Sequence, residues 1–344
     1  MSYWEERSVI VTGGASFIGS HLVDQLCKLS ADVTVVDDLS SGTLENLSDS
    51  KKRIKFVKLN LETDDYSSIR KVFKDQSVVF HLAAIHGGRG FIDSHPADCA
   101  SNFAIDHRVF DISSLEKAER VIMASSACAY PPELQSNISS NYLLKESDSD
   151  ISDLKQPLSA DVEYGWAKLM GEVQLNAFVK QYGLKGGSLR FVTAYGPREN
   201  ETHAIIALIH KAYEHMDPYV IWGNGKQLRD FTYVSDIVSG SILAGEKLSD
   251  GSSINLGTGV RYPLKEVAET ICDIMGFKPS KFQFDTKKPT GVVNRGLNNS
   301  LAKKILGWAP KISLREGLSR TIDWYVKTHQ KTGKVNDRIL TERF

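Results

Sequence analysis

The chain is poor in cysteine and has no excess of charge of either sign. Its four cysteines in 344 residues, Cys27, Cys99, Cys128 and Cys272, show neither metal-ligand spacing nor a dense framework. That excludes a disulfide scaffold, offers no metal site and fits a reducing compartment. Lys+Arg and Asp+Glu both number 42, so no overall field draws the protein to nucleic acid or to an acidic membrane surface. Any anionic ligand must be held by a few placed groups. Apolar runs such as Val9-Ile10-Val11 are too short to span a bilayer. Residues 1–7 lack the basic-then-apolar pattern of a signal peptide, and no repeat of solenoid period is present. The expectation is a cytoplasmic protein with neither nucleic acid nor membrane as partner.

What is present is ample apolar material, 41% of residues, arranged with a clear period. Residues 8–12, 32–37, 54–59, 78–82 and 121–125 read as buried strands, and 18–29, 66–73 and 98–117 as helices between them. Repeated strand–helix–strand units predict an α/β fold, a Rossmann-type doubly wound parallel sheet. Beyond Arg190 the pattern loosens into helices and short strands, which predicts a smaller mixed α/β substrate-binding lobe. The expected division is 1–190, with 232–258, for the nucleotide domain and 191–231 with 259–344 for the lobe. The polar, Ser-rich stretch 131–160 reads as a surface excursion, either a passive loop or a cover over the substrate.

The first strand runs into Thr12-Gly13-Gly14-Ala15-Ser16-Phe17-Ile18-Gly19 and then an amphipathic helix. Such a turn lets backbone N–H groups approach a pyrophosphate at a helix N-terminus. The second strand ends in Val36-Asp37-Asp38. A carboxylate there accepts both ribose hydroxyls and repels a 2′-phosphate, which predicts NAD over NADP.

Two later segments carry chemistry. Tyr164-Gly165-Trp166-Ala167-Lys168 sets a phenol and an ammonium four residues apart on one helix face. The ammonium is expected to stabilise a phenolate, so that the phenol can work as a base near neutral pH. Ser125-Ser126-Ala127-Cys128 adds a hydroxyl at Ser126 and a thiol at Cys128. Hydroxyl, phenol and ammonium describe hydride transfer on an alcohol or ketone. The thiol reads either as a small buried filler or as an acid/base for exchanging C–H protons beside a ketone.

These residues resemble the extended short-chain dehydrogenase/reductase family of nucleotide-sugar epimerases and dehydratases over essentially the whole chain. The family turn is Gly-x-x-Gly-x-x-Gly; Gly13 and Gly19 match it and Ser16 replaces the middle glycine. The resemblance implies that Phe17, Ile18 and Ser125 also border NAD, that Asn60 and Leu61 lie near its adenine, and that Leu82, Ala83 and Ala84 line it. It implies Tyr164 as the base, Lys168 as the holder of the nicotinamide ribose and Ser126 as the hydrogen-bond donor to the reacting oxygen.

Residues 124–131 and the loop Gly87-Gly88-Arg89-Gly90-Phe91-Ile92 are similar to the GDP-mannose 3,5-epimerase branch. In that reading C4 is oxidised transiently while Cys128 exchanges protons at C3 and C5. His203 stands where that branch has a Lys. Thr193, just before Tyr195-Gly196-Pro197-Arg198, stands where it has Asn; a Thr there is also seen in UDP-glucuronate 4-epimerases. Gly87, Gly88, Arg89, Thr193 and Arg198 are expected around the nucleotide-diphosphate sugar, with Arg229 and Arg295 on its diphosphate.

The alternative is a 4-epimerase, which needs no thiol. A 4,6-dehydratase would carry Asp-Glu where Ala127-Cys128 stand, and a non-catalytic dinucleotide sensor would not need the intact triad. The resemblance also implies a homodimer through the 98–117 and Tyr164 helices.

Overall fold

Near-continuous burial along short β-branched runs calls for a sheet covered on both faces. In the computed structural model, which describes residues 3–332, β1 (Ser8–Thr12), β2 (Asp32–Asp37), β3 (Ile54–Lys58), β4 (Val78–His81) and β5 (Arg120–Ser126) are all parallel. The helices between them are α1 (Phe17–Lys28), α2 (Tyr66–Phe73), α3 (Arg89–Ser94), α4 (Pro96–Ala100) and α5 (Asn102–Leu115). Next come α6 (Val162–Tyr182), β6 (Lys185–Phe191), β7 (Thr193–Tyr195), α7 (Ala204–Tyr213), β8 (Tyr219–Trp222), β9 (Leu228–Tyr233), α8 (Val234–Lys247) and β10 (Ser253–Leu256). The chain finishes through β11 (Arg261–Pro263), α9 (Leu264–Met275), β12 (Phe282–Asp285), β13 (Asn294–Arg295), α10 (Ser300–Leu306) and α11 (Leu314–Thr332). Residues 1–2 of the expected start and 333–344 of the expected lobe lie outside the described residues.

Seven strands form one sheet in the order β10-β6-β5-β4-β1-β2-β3. Val9, Val11, Val33 and Val35 pack with Leu22 and Leu26 of α1 and Ile237 of α8. Ile10, Val36, Val79 and Met123 pack on the other side with Ile105, Val109 and Leu175. Neighbouring residues on one strand thus feed opposite cores, as a doubly wound sheet requires. A second sheet is centred on β9, which pairs with β7, β11 and β13, and β8 pairs with β12. No helix among the described residues is long and apolar enough to cross a membrane.

One expectation needs correcting and one refining. The single helix over 98–117 is two, because the buried Asn102 turns its side chain on backbone: it accepts from Ile85 N at 2.8 Å and donates to Ile85 O and to Cys99 O, both at 2.9 Å. Stretch 131–160 is exposed over most of its length, as a surface excursion would be, but it is pinned to the body at a few points. Gln135, Leu144 and Ser149 are buried, and polar groups elsewhere claim its backbone: Arg190 Nη2 donates to Ser149 O at 2.7 Å and Asn255 Nδ2 to Leu144 O at 3.0 Å.

The junction of β5, β6 and α6 is polar and dry. Arg190 and Glu172 pair at 2.6 Å with both side chains wholly buried. Ser253 donates to the same carboxylate at 2.7 Å, Ser125 donates to it as well, and the Tyr130 ring lies 4.5 Å from the guanidinium carbon. Leaving either charge unpartnered there is expensive. Glu172→Ala is expected to cost about 3–5 kcal/mol in urea unfolding, whereas the exposed Arg320–Glu316 pair should cost less than about 1 kcal/mol when broken.

Candidate active site

The turn after β1 is shaped for close approach. Gly13 has φ +69°, and a Cβ there would lie 2.8 Å from Ala83 N, so only glycine lets the turn rest on the Leu82–Ala83 backbone. Leu82 N and Ala83 N donate to Thr12 O at 3.1 Å and Thr12 Oγ1 at 3.2 Å, and half-buried Ala84 follows on the same stretch. Ser16 is the residue before α1, its side chain caps nothing, and its Oγ lies 3.4 Å from Ser41 Oγ. The N–H groups of Phe17, Ile18 and Gly19 open the helix behind it.

Asp37 is buried at the end of β2. It accepts from Ala15 N at 2.9 Å and Leu39 N at 2.8 Å, and each oxygen keeps a lone pair for a further donor. Burial raises its pKa. Asn60 is committed within the protein, donating to Asp38 Oδ2 at 3.0 Å and accepting from Glu62 N at 2.8 Å. Leu61 is buried beside it.

β5 and α6 bring the catalytic candidates together. Ser126 ends β5 and its Oγ accepts from Cys128 N at 3.1 Å. Helix α6 passes so near that a Cβ on Gly165 would lie 2.2 Å from Cys128 O. Tyr164 and Lys168 therefore face the 126–128 turn. The Lys168 ammonium is bound to strand backbone rather than to the phenol. Lys168 Nζ donates to Ala124 O at 2.9 Å and lies 6.0 Å from the Tyr164 ring centroid. Burial pushes the Tyr164 pKa up, with Cys128, Cys99 and Asp106 adding to it and Ser126 opposing. Burial also lowers the Lys168 pKa.

Three guanidiniums gather around Asp161 and the thiol, and Arg295 touches both. Arg295 Nη1 donates to Cys128 Sγ at 3.1 Å, Nη2 to Asp161 at 2.8 Å and Nε to Gln135 Oε1 at 2.6 Å. Arg89 reaches the other Asp161 oxygen at 3.0 Å. Arg229 donates to Thr290 O at 2.7 Å and Val292 O at 2.5 Å. Burial and then Arg295 push its pKa down to about 9. Arg89 also pairs with Asp93 at 2.8 Å, so two carboxylates face three guanidiniums and leave this region one negative charge short, beside an open cleft of about 500 Å³ lined by Arg89, Asp93, Gln135, Asp161 and residues 289–293.

Three of the five N–H donors of Arg295 are thus engaged within the protein, on the thiol, Asp161 and Gln135, which leaves two for a ligand. Arg198 ion-pairs with Asp24 of α1 at 2.8 Å rather than joining the Asp161 group. Thr193 opens β7, half-buried and paired in register with Phe231.

His203 precedes α7. Its Nδ1 lies 3.1 Å from Glu199 Oε1, and its Cδ2 would be 3.7 Å from a Cβ on Gly88. The His86 ring centroid is 6.2 Å away. His86 is exposed beside it, and desolvation, followed by the nearby His203 and Lys168, pushes its pKa down.

Residues 9–257 match the NAD dependent epimerase/dehydratase family. The chain belongs to that family. It is 29% identical over 323 residues to a UDP-glucose 4-epimerase of Mycolicibacterium smegmatis, covering 92% of this chain and 97% of that one. It is 30% identical over 339 residues to GDP-mannose 3,5-epimerase 1 of Oryza sativa, covering 96% and 85%. The crystal structure of a UDP-glucose 4-epimerase with UDP-glucose from Thermotoga maritima superposes with TM-score 0.82 at 31% identity, over 93% of this chain and 99% of that chain.

The protein is thus an NAD-dependent member of a nucleotide-sugar epimerase family. Its own residues fit the cofactor: a glycine turn at a helix N-terminus with no side-chain cap, and an acid with lone pairs to spare. Gln135, Asp161, His86 and Glu199 escaped the sequence reading. Only Asp161 had a local signal, three residues before Tyr164 on the opening turn of its helix.

Two outcomes are expected. Ser16→Gly should tighten NAD binding, measured by calorimetry, since it removes a Cβ where backbone must meet phosphate; unchanged or weaker binding would refute the crowding. Burial raises the Asp161 pKa, but Arg295 and Arg89 outweigh it and hold the carboxyl below its ordinary 3.8. Its contribution to stability is therefore full above that value and lost as pH falls through the lower folded one. Asp161→Asn should flatten the fall of Tm in that acid window.

Proposed function

We propose that this protein epimerises a nucleotide-diphosphate sugar through transient oxidation at C4, with proton exchange at C3 or C5. The observation that carries this reading is the Cys128 thiol, aimed by Arg295 at 3.1 Å and close enough to Tyr164 to raise its pKa. NAD, held by the β1–α1 turn and Asp37, supplies the acceptor and later donor of the C4 hydride. Tyr164 takes the C4 hydroxyl proton, Ser126 hydrogen-bonds the same oxygen, and Lys168 holds the adjacent ribose. Once C4 is a ketone, the C–H bonds at C3 and C5 are acidified. Cys128 and His203 are then the two groups that remove and return protons there. Arg229 and Arg89 supply charge for the diphosphate end. A homodimer through α5 and α6 is part of the same reading, since Phe103, Leu115, Trp166 and Met170 leave large apolar area exposed on these two helices.

The second reading, a UDP-sugar 4-epimerase, is supported by the relatives from Mycolicibacterium smegmatis and Thermotoga maritima. It needs Tyr164, Lys168 and Ser126 with rotation of the keto sugar, and no thiol. Incubation with GDP-mannose, UDP-glucose or UDP-glucuronate in deuterated water separates the two. The first predicts deuterium at C3 or C5, lost by about 10²-fold or more in Cys128→Ala. C4 inversion without deuterium, or full exchange in Cys128→Ala, would overturn it.

A further inference from the structure

His203 is presented to the Gly87–Gly88 loop by a turn that is tied down from outside it. Between β7 and α7 the chain passes Pro197, Arg198 and Glu199. His21 of α1 lies 2.9 Å from Pro197 O, and Arg198 pairs with Asp24 of the same helix. His203 N then donates to Asn200 O at 3.1 Å, closing the turn. Arg198 therefore anchors the segment that carries Glu199 and His203.

Glu199 is an unusual residue to find there. Its side chain is 2% exposed and its Oε1 lies 3.1 Å from His203 Nδ1, while the His203 side chain is 25% exposed. Burial pushes the Glu199 carboxyl above the ordinary carboxylate range. Among the described residues, the His203 ring is the one titratable partner offsetting that burial. A carboxylate on Nδ1 selects the tautomer with its proton on that nitrogen and leaves the lone pair on Nε2. Nε2 adjoins Cδ2, the edge set against Gly88, and has no hydrogen-bond partner among the described residues. The His86 ring lies on the same side of that loop, 6.2 Å from the His203 ring.

We propose that Glu199 is a positioning residue that holds His203 in the Nδ1–H tautomer with Nε2 directed at the Gly87–Gly88 loop, where it exchanges a proton on the bound sugar. This rests on the proton-exchange reading above. In the step, the C–H bond beside the ketone breaks and its electron pair passes into the carbonyl as an enolate. The proton bonds to Nε2, and the imidazolium charge is offset by the Glu199 carboxylate. Reprotonation reverses the flow, with the proton delivered from Cys128 or returned from Nε2.

The test has one arm that needs no turnover. Two-bond ¹H–¹⁵N spectra of histidine-labelled protein, with His203 assigned by its absence in His203→Gln, should show the Nδ1–H form; the Nε2–H form would overturn the proposal. The second arm measures deuterium uptake into GDP-mannose relative to hydride transfer at C4. Glu199→Gln should lower that ratio by at least about tenfold at unchanged KM, with partial recovery in Glu199→Asp. Equal loss of both steps, or an unchanged ratio, would overturn it. If His203→Gln exchanges normally, the role of His203 itself falls; if only Glu199→Gln does, the role of Glu199 alone falls.

Discussion

Everything at this site depends on how closely α6 can lie against the end of β5. Two dry polar contacts set that distance: the Glu172–Arg190 pair, which also gathers Ser125 and Ser253, and Lys168 on Ala124 O. Gly165 removes the side chain that would otherwise prop the helix away from Cys128 O. A buried pair of this kind adds little net stability but is costly to break. That asymmetry fixes a unique register between strand and helix, and with it the placement of Ser126, Cys128, Tyr164 and Lys168.

Around that junction the charges are arranged unevenly. The described residues around the cleft set three guanidiniums, of Arg89, Arg229 and Arg295, against two carboxylates, of Asp161 and Asp93. In a chain of zero formal net charge, this is a local device, and it is the kind a dianionic diphosphate would complete. Asp161 keeps two of the guanidiniums in place by lying between them. The side chains contributed by other loops, Gln135 and the 290–292 carbonyls, hold the remaining geometry.

Much of the fold was legible because its signals are local. Valine-rich runs alternating with amphipathic helices, a glycine turn and an acid at the second strand end predict a doubly wound sheet without any knowledge of packing. Tyr164, Lys168 and Ser126 were legible for the same reason, since spacing along a helix and position at a strand end decide them. The partners of Arg198 and Arg295 were not legible because a guanidinium reaches far, and its partner is chosen by whichever carboxylate or sulfur the tertiary fold brings near. The tethering of 131–160 was not legible because distant side chains, those of Arg190 and Asn255, donate to its backbone carbonyls at Ser149 and Leu144.

By itself, then, the sequence determined the sheet, the cofactor turn and the hydroxyl–phenol–ammonium set, each governed by contacts within one element or one turn. Only the tertiary structure decided that Cys128 faces Arg295, that Asp161 links Arg89 to Arg295, and that Glu199 lies on His203. The first two join residues more than sixty positions apart. The third spans four positions, but it becomes a directed and desolvated contact only when α1, through His21 and Asp24, holds the turn in place. Burial, not proximity along the chain, gives these contacts their chemistry, and burial is a property of the folded whole.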